Sequence, residues 1–293
     1  MKDLARFAET CTGLDHNSKL KLILFAAEAK PNTYIHLKIT KNYHDKHAFE
    51  ELLRKHNIPF ECSRAKGFEE ITRVSAKAAH WRLAGTWYGY DLFRNKKAQV
   101  VFHQAVALIR QGKHAQADKI LGKHYGYPDC CVKKFIATHD PKEVAKKTTA
   151  YNYFKELHDS DKAFPFITHT PCSSKCAASK KLNDTYKKAV QAHAPRFFRE
   201  YAKKRTYHVQ IVIDADNDLI PFKKKDAYDY GVVTLDKIEG HYVMISWLSQ
   251  KKYARGTVLD ATVTLQYDYG LITPKKIVRK GTGFRHERHL TKL

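Results

Sequence analysis

"GKHYGYPDCC" (Gly122–Cys131) sets two adjacent cysteines just after a proline, and "THTPCSSKC" (Thr168–Cys176) supplies two more further along. Four thiolates close a tetrahedral zinc site or hold an iron–sulfur cluster. A C-x3-C pair such as Cys172 and Cys176 fits one helical turn, or a loop entering a helix whose N-terminus favours thiolate. Pro128 suits the first turn of a helix and Asp129 its positive end. Adjacent cysteines diverge by about 100° on a helix, so Cys130 and Cys131 reach one ion only from an irregular backbone. A cluster with several irons tolerates that spread better. His169 is a candidate replacement for one thiolate. Two other readings stay open: structural cysteines, with a disulfide such as Cys130 to Cys176, or a catalytic thiol. Cys11 and Cys62 read as small buried hydrophobes.

Outward from this motif, residues 96–204 read as helices. Ala98, Val101, Phe102, Ala105, Leu108 and Ile109 recur at helical spacing up to a stop at Gly112. "KHAQADKIL" makes a second helix closed by Gly122, and a third starts at Pro128. A later helix from about Ser179 turns Leu182, Tyr186 and Val190 inward, ends near Pro195 and is followed by a further turn. Residues 1–95 read as mixed α/β. "LARFAETC" and "DKHAFEELLRKHN" are helices, the latter stopping at Asn57; "TYIHLKIT" and "IPFECSRA" are strands; "FEEITRVSAKAAHWRLAG" is helical up to Gly85. "GTWYGYDLF" and "GKHYGYPDC" share G-x-[WH]-Y-G-Y, which a duplicated helical hairpin or chance would explain. Residues 205–274 alternate with turn signals and suggest a small β-barrel, with "YGVVTLDKI" and "HYVMISWLS" as a hairpin. Residues 275–293 read as a basic flexible tail. The expected fold class is thus α+β: mixed α/β part, helical part with the cysteine motif, small barrel, tail.

The cysteine motif, "GYPDCCVKKFI" followed by "HTPCSSKCAAS", resembles the G-Y-P-x-C-C…P-C-S-x-x-C-x-x-S pattern of a mainly archaeal family of unknown function. The resemblance covers roughly residues 80–200. It implies that Tyr127, Pro128, Cys130, Cys131, Pro171, Cys172, Ser173, Cys176 and Ser179 act as a unit, and it supplies no activity. "CSSKCAAS" is also similar to the C-x3-C-x2-C of radical-SAM enzymes, but Ser179 stands in the third place, which removes that reading. No Walker loop, G-x-G-x-x-G, G-x-S-x-G or deaminase pattern occurs. "DADND" (Asp214–Asp218) opens like a calcium loop, yet Leu219 and Lys225 stand where glycine and glutamate are needed.

Charge points to the partner. The chain has 53 Lys+Arg against 30 Asp+Glu, a formal charge of +23. An excess of this size implies a polyanion. It is concentrated between residues 121 and 210, with 18 basic against 8 acidic residues, and at the C-terminus. Lys180, Lys181, Lys187 and Lys188 fall on one side of a helix, continued by Arg196, Arg199, Lys203, Lys204 and Arg205. Lys275, Lys276, Arg279, Lys280, Arg285 and Arg288 arm the tail. Such a surface binds phosphates without reading sequence. The expectation is a cytoplasmic RNA-binding protein without a membrane span, acting on ribosomal RNA before tRNA. Ribosome assembly, subunit association and translational silencing are its candidate roles. The alternative is a cysteine- or metal-dependent enzyme that modifies tRNA or rRNA.

Overall fold

The computed structural model describes residues 1–39, 43–64, 68–74, 79–138, 150–212, 229–234, 244–249, 257–267 and 269–280. The chain is mixed α+β. The described residues fall into two compact units, one within 1–140 and 156–203, the other within 141–155 and 204–293. The first unit takes in residues from both of the first two parts expected from sequence, without 141–155.

In the first unit, α1 (Lys2–Thr10), α2 (His16–Ala26) and α3 (His44–Lys55) accompany a four-stranded antiparallel sheet. β4 (Ala79–Leu92) is central, flanked by β1 (Thr33–Ile39) and β2 (Phe60–Arg64), with β3 (Phe68–Val74) on its first half. The alternation of "TYIHLKI" is realised: Ile35 and Leu37 are fully buried. They share a core with Leu4, Leu22, Ile23, Phe25, Phe49, Leu53, Tyr90 and Leu92. Asp15 caps α2 by accepting from the Ser18 amide at 2.6 Å.

The stretch expected to be helical from Phe68 to Gly85 is instead the β3–β4 pair. Its Glu and Ala residues favour a helix, but Ile71, Thr72, Val74 and Trp81 favour a strand. β1 and β2 pair only with the Thr86–Leu92 part of β4, so over Phe68–Gly85 the ladder is the one that β3 and the first half of β4 make with each other. The G-x-[WH]-Y-G-Y echo is therefore no duplication: one copy lies in β4, the other at the end of a helix.

α4 (Lys96–Arg110), α5 (His114–His124) and α6 (Asp129–Ala137) follow, then α7 (Ala150–Ala163), α8 (Ala177–His193) and α9 (Pro195–Ala202). Gly112, at φ +73°, does end α4, and Asn57, at φ +51°, follows α3. Gly122 does not end α5, which runs on to His124. A Cβ at Gly122 would lie 2.3 Å from Val132 Cγ2, so this glycine lets α6 approach α5. The true stop is Gly126, at φ +74°.

In the second unit, β5 (Arg205–Val212), β8 (Val258–Gln266) and β9 (Tyr269–Arg279) form an antiparallel sheet in the order β5-β8-β9. β6 (Asp229–Thr234) and β7 (Met244–Ser249) pair as the expected hairpin. Among the described residues no closed barrel forms. Pro274 in β9 has no N–H to offer a further strand, as suits an edge. Lys275–Arg279, expected in a flexible tail, belong instead to β9, and residues 281–293 lie outside the described residues. The "DADND" loop lies outside the described residues.

Candidate metal centre

Two helix N-termini converge on the cysteines. Pro128 precedes α6, placing Cys130 and Cys131 in its first turn. Cys176 is the N-cap of α8, its sulfur accepting from the Ser179 amide at 3.4 Å. Cys172 lies just upstream in the loop, and its amide donates to Cys131 Sγ at 3.4 Å. The four sulfurs lie within 4.8 Å of one another. Cys130 to Cys131 is 3.9 Å, Cys130 to Cys176 3.7 Å and Cys131 to Cys176 3.8 Å. The expected obstacle to adjacent cysteines does not arise, since both reach one point from the first turn of a regular helix. All six cysteines are free thiols in this structure. Cys11 is buried as expected, whereas Cys62 is exposed.

Cys131 and Cys176 are buried, with Phe164 beside them and Ile167 and Cys172 packed against the cluster. Cys130 is exposed. Burial pushes the Cys131 thiol up to about 11, against hydrogen bonds from Ser179 and the Cys172 amide. Burial also pushes Cys172 up to about 12, with the neighbouring thiols adding to it. At Cys176 burial acts in the same sense. There the Ser179 hydroxyl and amide, with the nearby thiols, outweigh it and bring the pKa down to about 6. The Cys176 thiol thus ionises most readily of the four, and a cation bound here would let its neighbours ionise too.

His169 does not join the sulfurs. Its Nε2 lies 3.2 Å from Ser179 Oγ, which in turn lies 3.3 Å from Cys131 Sγ. Ser179 is fully buried. The motif's serine and histidine therefore orient the thiols from behind. Tyr127 stacks obliquely on His169 at 5.1 Å.

The basic residues are distributed unevenly. Lys180, Lys181, Lys187 and Lys188 are exposed on α8, opposite buried Tyr186 and Val190. None of the four forms an ion pair with another described residue. Arg196 and Arg199 on α9, and Lys203 after it, are exposed as well. In the second unit Lys204 is exposed and Arg205 is half-buried at the start of β5. Lys275 lies 3.4 Å from His208 Nδ1, Lys276 pairs with Asp260 at 3.4 Å, and Arg279 and Lys280 are exposed. Arg285 and Arg288 lie outside the described residues. Phe197 and Tyr201 are buried and stacked on each other, so they serve the core.

Sequence reasoning missed a polar network next to the centre. Lys30, only 1% exposed, donates to the Tyr125 carbonyl at 2.7 Å and lies 4.5 Å from the Tyr127 ring centre. A cation on the last carbonyls of α5 is favoured by the helix dipole. Asn32 donates to the His124 carbonyl at 2.8 Å and accepts from the Arg94 amide. Beside these, Tyr125 donates to Asp91 at 2.7 Å. The only sequence signal was the Tyr-Gly-Tyr of the echo.

Comparison with family models, with curated proteins and with solved structures finds no match. Among the described residues no helix is long and apolar enough to cross a membrane.

Proposed function

We propose that this is an RNA-binding protein whose basic helix α8 is anchored by a zinc ion in the four-cysteine centre. The supporting observation is that α8 begins on one of the four clustered cysteines and carries four exposed lysines without ion-pair partners among the described residues. Metal–sulfur bonds of about 2.3 Å in a tetrahedron put the sulfurs about 3.8 Å apart. The three separations among Cys130, Cys131 and Cys176, of 3.7, 3.8 and 3.9 Å, agree with that edge, and with Cys172 all four sulfurs lie within 4.8 Å. An iron–sulfur cluster spreads its thiolates over several irons and needs wider spacing. Four thiolates leave zinc no open position, so the ion's role is structural. The phosphate backbone of ribosomal RNA is the proposed partner, with tRNA second. Assembly, subunit association or translational silencing would follow from such binding.

An RNA-modifying enzyme is the second reading, favoured by a cavity that reaches Cys131. Metal content separates the two: one zinc per chain supports the binder, and an iron chromophore with labile sulfide supports the enzyme. RNA binding itself is tested by filter binding over a salt series. Replacing Lys180, Lys181, Lys187 and Lys188 with Gln should weaken binding and flatten the salt slope by roughly 0.7–0.9 per lost phosphate contact. An unchanged slope and affinity would remove α8 from the interface. Sequencing of RNA crosslinked in cells then distinguishes ribosomal RNA from tRNA.

A further inference from the structure

A cavity of about 510 Å³ adjoins the metal centre within the first unit, sharing Tyr127, Cys131 and His169 with it. Two charged groups on its wall lack a counter-ion among the described residues. Lys21 of α2 is half-buried; burial lowers its pKa, with Asp15 opposing. Asp91 of β4 is half-buried too; burial raises its carboxyl to about 6, against the hydroxyl of Tyr125. Lys21 and Asp91 do not pair with each other. His169, on the same wall, has a buried Nδ1 without a hydrogen-bond partner among the described residues. Desolvated polar groups left open toward one cavity are costly, and a ligand that completes them repays that cost.

The lining states the ligand's chemistry. Lys21 calls for an anionic group. Asp91, when ionised, accepts hydrogen bonds only, so it calls for adjacent donors. Phe102 and Phe135 offer apolar ring surface. Cavities of roughly 300–1,000 Å³ hold ligands of nucleotide size. Among the bases, guanine presents two neighbouring donors on its pairing edge, N1–H and N2–H, and adenine, cytosine and uracil do not.

We infer that this cavity binds a guanosine monophosphate unit, with Lys21 on the phosphate, Asp91 on the base edge and the two phenylalanines on its faces. The inference deepens the RNA reading, and rests on it for the ligand's source as one nucleotide of an RNA.

The test is calorimetric titration of the full chain with 5′-GMP, AMP, CMP, UMP and inorganic phosphate. GMP should bind one to one and about tenfold or more tighter than the other nucleotides. Asp91→Asn should bring GMP down to the level of AMP. Phe135→Ala, at a residue 45% exposed and so tolerant of change, should weaken GMP roughly tenfold. If Asp91→Asn loses its near-ultraviolet dichroism, Phe135→Ala carries the test. Four nucleotides binding alike, or none better than phosphate, would overturn the inference while leaving RNA binding by α8 standing. Conversely, GMP binding that persists in a chain with no affinity for RNA would retire the RNA reading and with it the assigned source of the ligand.

Discussion

Cys176 is both an N-cap and a proposed metal ligand, and two substitutions separate these roles. Serine keeps a side-chain acceptor for the Ser179 amide, now 3.4 Å from the sulfur, and is among the preferred caps. Alanine removes cap and ligand together. The cap contributes about 1 kcal/mol. The metal, at a hundredfold excess over its Kd, contributes about 2.7 kcal/mol by linkage. For a unit of this size each kcal/mol moves Tm by about 2–4 °C. Thermal unfolding followed by circular dichroism, with and without a zinc chelator, reads both. Wild type should lose roughly 5–11 °C on chelation. Cys176→Ser should start near the chelated wild type and respond little to chelator, and Cys176→Ala should lie about 2–4 °C lower still. Equal Tm for wild type and Cys176→Ser, with neither moved by chelator, would refute a metal at this centre. Equal Tm for the Ser and Ala variants would refute the cap.

Zinc titration of the chelated protein at neutral pH should release the protons held by Cys131 and Cys172, whose thiols burial raises to about 11 and about 12. Affinity should therefore rise with pH, as measured by competition with a coloured chelator; a flat profile would contradict the burial of these thiols. Gly122→Ala gains helix propensity but drives a methyl into Val132, so it should cost roughly 1–3 kcal/mol in urea unfolding. Gly126→Ala forces φ +74° on an L residue beside Pro31 and should cost about 1–2 kcal/mol in the same assay. Burial, with Lys21 adding, lowers Lys30 to about 7. A lysine more basic unfolded than folded pays its full cost below the folded value. Stability should therefore climb as pH rises from about 7 towards 10.5, and Lys30→Met should flatten that rise.

The cysteine cluster was legible because its signal is local: two short motifs carry all four cysteines together with Ser179 and His169. What spacing could not give was the outcome at Cys130 and Cys131, which depends on where the first turn of α6 points its side chains. α2 escaped notice as a helix because Leu20, Leu22, Ile23, Leu24 and Phe25 are buried around its whole circumference, leaving no amphipathic period. Gly122 passed for a stop because glycine at a helix end and glycine at a helix crossing look identical in one dimension. The cavity was invisible for another reason. Lys21, Asp91, Phe102 and His169 come from four separate segments, and only the tertiary packing of the first unit brings them to one cavity.

Cys130 is the one thiol of the four that solvent reaches freely. An oxidant, a chelator or an incoming metal ion would meet the cluster first at this sulfur, while Cys131 and Cys176 stay buried and Cys172 half-buried. Damage there would unfasten the first turn of α6 from the start of α8, so the lysine-bearing helix is only as well tethered as its most accessible anchor.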